Sequence, residues 1–228
     1  MALNKQKGNM FDWVTHTWNI IKGICSHKCS YCYMKGLIKR DLYFDKRELK
    51  TDLGEGNVIF VGSSCDMWAH DVPSEWIEKT MKYLNKFPFN KYLFQTKNPR
   101  AFKNPLDLVG FMRKPEDKII FGTTIETNRE DLIKLVSNAP NIHNRVKYMS
   151  MIRDFKKSIT IEPIMEFDLD ELVNMIREIN PDWVNIGADS KNHKLQEPSW
   201  FKVKALISEL KKFTEVKEKY NLKRLKIK

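Results

Sequence analysis

Cys25-Ser26-His27-Lys28-Cys29-Ser30-Tyr31-Cys32-Tyr33 is the stretch from which the rest of the chain can be read. Three of the four cysteines fall here with the spacing Cys-x3-Cys-x2-Cys, and the fourth, Cys65, lies far downstream. Thiols this close together serve one chemistry: a redox pair with a spare, part of a zinc site, or the cradle of an iron–sulfur cluster. A structural zinc takes four ligands, commonly from paired hooks. The second hook is missing, and His16, His27, His70 and Cys65 are unpatterned choices for a fourth ligand. Three local thiolates would instead leave one iron of a cubane cluster open, which is what a reacting ligand needs.

Length and composition narrow the setting. At 228 residues the chain suits one well-packed domain. Six Trp and thirteen Phe supply a globular core. No apolar run approaches the roughly 18 residues of a membrane span, and the opening Met1-Ala2-Leu3-Asn4-Lys5 lacks the apolar segment of a signal peptide. Cysteines grouped in a metal-like motif fit a reducing cytoplasm rather than a disulfide framework. The net charge is +11, of which +7 falls from Phe201 onward, where ten basic residues face three acidic ones. That segment reads either as a solvated terminal helix or as a phosphate-facing arm.

Along the chain, Trp13–Ile21 alternates like a first strand and delivers the chain into the cysteine loop. Met34, Leu37, Ile38 and Leu42 have helical spacing, which predicts a helix over 33–44. Short apolar runs at 57–61, 92–96, 118–125, 158–162 and 182–186 read as strands covered on both faces. Between them, helices are predicted near 73–87, 105–113, 129–136, 145–156 and 168–179, with a last long helix from Pro198. Such alternation means right-handed βαβ units and a parallel sheet. About six units are too few for a closed eight-stranded barrel, so the expected fold is a single-domain, partial, open (β/α)6 barrel. The barrel is expected over 1–200, with 201–228 as a basic helical extension packed on it or projecting from it.

Chemistry in parallel barrels gathers at the C-terminal strand ends. Past the predicted strands come the cysteine loop, Gly62-Ser63-Ser64-Cys65-Asp66, Thr96-Lys97-Asn98, Thr123 to Asn128, Glu162, and Gly187-Ala188-Asp189-Ser190. A polar turn commonly ends a strand. Polar groups at every strand end, on the edge that carries the cysteines, instead describe a ligand-binding rim.

Cys-x3-Cys-x-aromatic-Cys, with Tyr31 in the aromatic slot, resembles the signature of the radical S-adenosylmethionine (SAM) superfamily. The resemblance implies that Cys25, Cys29 and Cys32 hold a [4Fe–4S] cluster whose fourth iron is chelated by SAM. Reductive cleavage of SAM would then give methionine and a 5′-deoxyadenosyl radical that abstracts hydrogen from a substrate. It implies an external electron donor such as flavodoxin or ferredoxin. Gly62, Ser63 and Ser64 occupy the place of the turn that meets SAM's amino group, with Asp66 standing in for the family's usual acid, which is Ser64 here. Thr124 and Glu126 lie where the family contacts ribose and methionine, and Lys97 is suited to SAM's carboxylate or a substrate phosphate. Cys65, Glu162 and Asp189 are the candidates for a catalytic role toward SAM or substrate.

Further blocks resemble a phage-associated radical SAM family of uncharacterised function: Thr17-Trp18-Asn19, Val61 to Asp66 with Asp71-Val72-Pro73, Thr96 to Pro99, and Ile161-Glu162-Pro163. Ile20 departs from it, since proline is usual there, and Cys65 is an extra thiol. That resemblance and the basic tail favour a nucleic acid or nucleotide as substrate. The competing reading is a zinc-stabilised nucleic-acid-binding module without catalytic activity. Iron and sulfide content separates the two.

Overall fold

The computed structural model describes residues 3–8, 10–102, 109–110 and 114–226. Its ten strands are β1 (Asn4–Lys5), β2 (His16–Trp18), β3 (Ile21–Lys22), β4 (Tyr43–Phe44), β5 (Val58–Val61), β6 (Lys91–Thr96), β7 (Ile119–Thr124), β8 (Lys156–Ile161), β9 (Trp183–Ile186) and β10 (Glu215–Glu218). The apolar runs form the middle of the sheet because both of their faces are covered: every residue of β7 is buried. Eight strands make one sheet in the order β1-β2-β5-β6-β7-β8-β9-β10. All neighbours pair in parallel except β1, which lies antiparallel on β2. Parallel neighbours in chain order describe an open α/β barrel wound strand by strand.

Among the described residues five helices cover the outer face: α1 (Ser74–Leu84), α2 (Glu130–Val136), α3 (Ile142–Ser150), α4 (Leu169–Ile179) and α5 (Trp200–Leu210). Two start on side-chain caps that satisfy free N–H groups. Asn141 accepts from the Asn144 N–H at 2.8 Å, and Ser199 from the Lys202 N–H at 3.3 Å. In α4, Leu172, Val173, Ile176 and Ile179 form the buried stripe, and the helix stops at Asn180 in the left-handed conformation. Between helices and sheet, Trp68, Phe94, Phe102, Phe121 and Phe155 form a chain of aromatic contacts with ring centroids no more than 6.2 Å apart. Inside the barrel, Phe11, Val14, Leu93 and Ile120 form a separate small core. Trp13 closes it by stacking on Phe11 and donating from Nε1 to Asn185 Oδ1 at 3.2 Å.

Three expectations change. The strand expected over Trp13–Ile21 is broken into β2 and β3, and β3 leaves the main sheet to pair with β4. The helix expected over 33–44 is instead turns over 33–37, an irregular stretch, and β4 at its end. Gly36 sits there at φ +85° and Leu37 is 71% exposed, while Leu42 alone of the four spaced apolar residues packs against the main core, so they share no buried helical face. The expected C-terminal extension is α5, then the parallel strand β10, then a 3-10 helix over Tyr220–Lys226. β10 is a seventh parallel strand, one more than expected. Leu222 and Leu225 are buried, so this segment is packed on the barrel and does not project. The helix expected near 105–113 lies mostly outside the described residues. Among the described residues no helix is long and apolar enough to cross a membrane.

Candidate active site

Side chains alternate along a strand, so each parallel strand presents one rank of residues to the barrel interior. Leu93 and Gln95 of β6, Thr124 of β7, Ser158 and Thr160 of β8 and Asn185 of β9 meet there. Gln95 donates to Thr124 Oγ1 at 3.3 Å and accepts from Thr160 Oγ1 at 3.4 Å, and Asn185 donates to Ser158 Oγ at 3.1 Å. This polar floor lies between the small apolar core and the C-terminal strand ends. Thr124 is therefore placed in the interior as expected, whereas Gln95 escaped the sequence reading.

The cysteine loop crosses the same edge. Its turns are closed by the Lys28 N–H on Cys25 O and the Cys32 N–H on Cys29 O, both at 3.2 Å. It is tied to the end of α2 by the Ser30 N–H on Val136 O and the Asn138 N–H on His27 O, both 2.7 Å. Cys29 Sγ lies 3.1 Å from Ser137 Oγ. All four cysteines are free thiols, with Cys29 and Cys65 buried and Cys25 and Cys32 half-buried. Cys65 hydrogen-bonds to Cys25, which lowers the Cys25 pKa against the effect of burial. Burial raises the Cys32 pKa, and the neighbouring Cys29 and Cys25 raise it further, so the three loop thiols share one electrostatic environment. Among the described residues no three His, Cys, Asp or Glu side chains converge as ligands of a single ion. The histidines weighed as a fourth zinc ligand point elsewhere where a partner is seen: His27 bonds Asp66, and His16 lies 2.9 Å from Thr15 Oγ1.

Two buried acids prop this loop. Asp66 accepts from His27 Nε2 at 2.8 Å, Thr96 Oγ1 at 2.8 Å, the Lys97 N–H at 2.9 Å and the Trp68 N–H at 3.0 Å. Burial opposes ionisation of Asp66, but the His27 hydrogen bond and charge outweigh it and hold the carboxyl below its usual range. Glu126, fully buried, accepts from Tyr31 Oη and Lys97 Nζ on one oxygen and from Arg145 Nη1 at 2.8 Å on the other. Burial pushes its pKa up, and the charges of Arg145 and Lys97 override this to bring it to about 2. Lys97 Nζ also reaches Tyr31 Oη at 3.0 Å. The carboxylates expected to face SAM are thus held by the protein's own donors, and they position His27 and Tyr31, which stand on either side of Cys29 in the loop. Arg145 was not singled out in the sequence, and His27 was considered there only as a fourth zinc ligand.

The turn after β5 is folded tightly on itself. Gly62 has φ +80°, and a Cβ there would meet Cys65 O and Met67 at 3.2 Å. Its N–H bonds Trp18 O at 2.9 Å. Asn19 Oδ1, at the end of β2, accepts from the Ser64 N–H at 2.8 Å and Ser63 Oγ at 3.2 Å. Tyr33 Oη donates to Ser63 O, closing the cysteine loop onto this turn.

Glu162 and Asp189 stand at the ends of β8 and β9, where the C-terminal segment meets them. Lys219 and Asn221 both donate to Glu162. Asp189 accepts from the N–H groups of Lys191 and His193 and lies 2.6 Å from His193 Nδ1. Burial opposes its ionisation, and His193 brings its pKa down. Arg224 bridges Glu197 and Asp189 O. A hollow of about 300 Å³, lined in part by Arg153, Asp154, Lys157 and Asp182, opens at the opposite, N-terminal edge of β8 and β9 and contains none of these groups.

The fold and this strand-end site define an α/β partial barrel with a cysteine loop that follows its first parallel strand and the short β3. The chain belongs to the family described as protein of unknown function DUF5131, whose profile matches residues 9–209. No curated protein matches it significantly. Among solved structures it is similar to a tyrosine-to-phenylalanine mutant of spore photoproduct lyase, at 11% identity and TM-score 0.63 over 94% of this chain and 80% of that one. The lyase complexed with dinucleoside spore photoproduct matches at 13% identity and TM-score 0.57, over 91% of this chain and 64% of that one. Streptococcus suis SuiB bound to the precursor peptide SuiA matches at 12% identity and TM-score 0.58, over 89% of this chain and 48% of that one. This chain thus spans about two thirds of the lyase complex and half of SuiB. At these identities the likeness concerns the fold.

Proposed function

We propose that the protein is a radical SAM enzyme acting on a nucleic acid or nucleotide. The observation that carries the chemistry is the placement of Cys25, Cys29 and Cys32 on one loop at the C-terminal edge of a parallel partial barrel. The donor set suits a [4Fe–4S] cluster in its chemistry: three free thiols lie on one short loop. Solved fold neighbours are described with bound AdoMet, in spore photoproduct lyase, and bound to S-adenosylmethionine, in SuiB. When bound, the cluster supplies the electron that cleaves SAM to methionine and a 5′-deoxyadenosyl radical.

The chain's own residues then have separate tasks. Cys25, Cys29 and Cys32 hold the cluster, while His27 and Tyr31, fixed by Asp66 and Glu126, hold their loop. Gly62, Ser63 and Ser64 bring backbone close to SAM's amino group. Lys97 and Thr124 face the interior between that turn and the polar floor. Glu162, Asp189 and Cys65 are the residues we assign to the substrate or the cluster on the same rim.

The substrate class rests on the phage-associated resemblance and on the dinucleoside photoproduct carried by the lyase neighbour. SuiB, which is seen with a peptide, marks the second reading. The oxygen-sensitive centre and grouped thiols suit the cytoplasm.

Anaerobic reconstitution tests the chemistry. The expected product is a brown protein that releases methionine and 5′-deoxyadenosine from SAM with dithionite. A colourless protein holding one tight zinc and cleaving no SAM would overturn it. Mass spectrometry of host nucleosides with and without the protein tests the substrate, and an unchanged nucleoside profile beside a modified peptide would favour the second reading.

A further inference from the structure

At the end of β9 a polar loop is pinned from three sides. The buried Asp189 accepts from the Lys191 N–H at 3.1 Å and from the His193 N–H, and its Oδ1 lies 2.6 Å from His193 Nδ1. The C-terminal segment braces the same loop: Asn221 donates to Ser190 Oγ at 2.9 Å, and Arg224 to Asp189 O at 3.0 Å. Opposite them, Lys191 Nζ donates to Tyr33 O at 3.0 Å, so the loop reaches the residue that follows Cys32. An ionised carboxylate can only accept, so His193 Nδ1 carries the hydrogen between the two side chains. Its Nε2 has no partner among the described residues, and the His193 side chain is 21% exposed where that of Asp189 is 3% exposed. The acids at this corner already have cations of their own: Glu162 faces Lys219, Asp189 faces His193, and Glu197 faces Arg224. No acid occurs from Ser190 to Gln196. Lys191 Nζ bonds a neutral carbonyl, and Lys194 is exposed with no ion pair among the described residues.

We infer that His193, with Lys191 and Lys194 beside it in the loop, binds a phosphate group of the substrate. The inference deepens the reading of a nucleic acid or nucleotide substrate and takes its role from that reading. Protonated at Nε2, the ring donates a charge-assisted hydrogen bond to a phosphate oxygen, and the lysines add point charges. Asp189 is then a positioning residue that acts through His193: it fixes the ring and both backbone N–H groups before any ligand arrives, which removes an ordering cost that a loose basic loop would carry. Position gives the site its use. Because Lys191 bridges to Tyr33, a phosphate held by this loop tethers the substrate on the part of the rim that adjoins the cysteines.

Histidine side-chain NMR of the full chain, with inorganic phosphate as probe and His193→Gln to assign the ring signal, tests the site. Phosphate should shift the His193 signal saturably and leave the other histidines in place, and sodium chloride at equal ionic strength should not reproduce the shift. Lys194→Ala should weaken phosphate at least threefold at an unchanged melting temperature. Asp189→Asn should change the tautomer signature of the His193 ring as well as the affinity, which loss of a merely structural contact would not do. A single-stranded oligodeoxynucleotide should displace the phosphate. A His193 signal indifferent to phosphate would overturn the site, as would one that follows acetate equally well or shifts in step with every other histidine. An oligonucleotide that leaves the phosphate in place would overturn its role toward the substrate. The measurement needs neither cluster nor SAM, so a chain that binds phosphate at His193 yet cleaves no SAM would sink the radical SAM reading alone.

Discussion

His27 Nε2 lies 2.8 Å from Asp66 Oδ2, linking the middle of the cysteine loop to the turn after β5. The two residues are far apart in sequence, and each is almost without solvent. Asp66 is filled by four donors, so it works as a brace for the loop. Replacing it by Ala leaves His27, Thr96 Oγ1 and two backbone N–H groups without their acceptor. Breaking such a buried pair costs about 3–5 kcal/mol. Urea unfolding of Asp66→Ala should show a loss of that size, and an unchanged midpoint would mean the contact holds nothing in place.

Glu126 predicts an acid-limb dependence. Its carboxyl pKa is lowered from 4.5 to about 2 by Arg145 and Lys97 in spite of burial. A depressed carboxylate contributes stability above its unfolded pKa and loses that contribution as pH falls toward the folded value. The stability gap between wild type and Glu126→Gln should therefore be complete at about pH 6 and shrink as pH drops from 4.5 toward 2. Denaturant titrations across that range check it. A gap independent of pH would mean that the glutamate's charge is not what stabilises.

Cys25→Ala, Cys29→Ala and Cys32→Ala should each abolish iron and sulfide uptake and SAM cleavage, while Cys65→Ala keeps both. Cys65 reaches Cys25 as a neighbouring thiol and lies outside the loop. Elemental analysis of the four reconstituted variants decides the matter. Iron lost only on changing Cys65 would reverse the assignment.

Gly62→Ala should weaken SAM binding more than it weakens the fold. The left-handed backbone at φ +80° costs an alanine about 1–2 kcal/mol, and its Cβ presses on Cys65 O at 3.2 Å. Calorimetry with SAM and a melting curve together separate the two effects. A lower melting temperature with full SAM affinity would remove the turn from the site.

The basic C-terminus gives the fifth prediction. Leu225→Ala should cost about 2–5 kcal/mol and lower the melting temperature by several degrees, because that side chain is buried against the barrel. Charge reversal at Lys223, which stacks over Tyr220, should leave retention on DNA or RNA unchanged at every salt concentration. Retention that falls with Lys223→Glu would favour the phosphate-binding arm over the solvated terminal segment.

Much of the fold was legible because parallel strands buried on both faces write themselves as short apolar runs. Ile119 to Phe121 and Tyr92 to Phe94 show it directly. β10 was not legible for the opposite reason: Glu215-Val216-Lys217-Glu218 is a solvated edge with no apolar signature. The cysteines announced the site. Arg145 did not, since beside His143 and Asn144 it looks like any solvated helix residue, and only the folded position of Glu126 buries it. Asp66 and Glu126 were found as important acids but expected to face a ligand. Spacing places a residue at a strand end without saying which neighbours claim its oxygens.

The parallel strands neighbour one another in the sheet in the order in which they occur along the chain. Such a sheet can lengthen one strand at a time as the polypeptide is synthesised, each new strand finding its edge already waiting. The bonds between the cysteine loop and the end of α2 cannot form until Val136 and Asn138 have emerged. During that interval the three thiols lack the support of that helix end, so the cysteine loop is among the later parts of the strand-end site to be held in place.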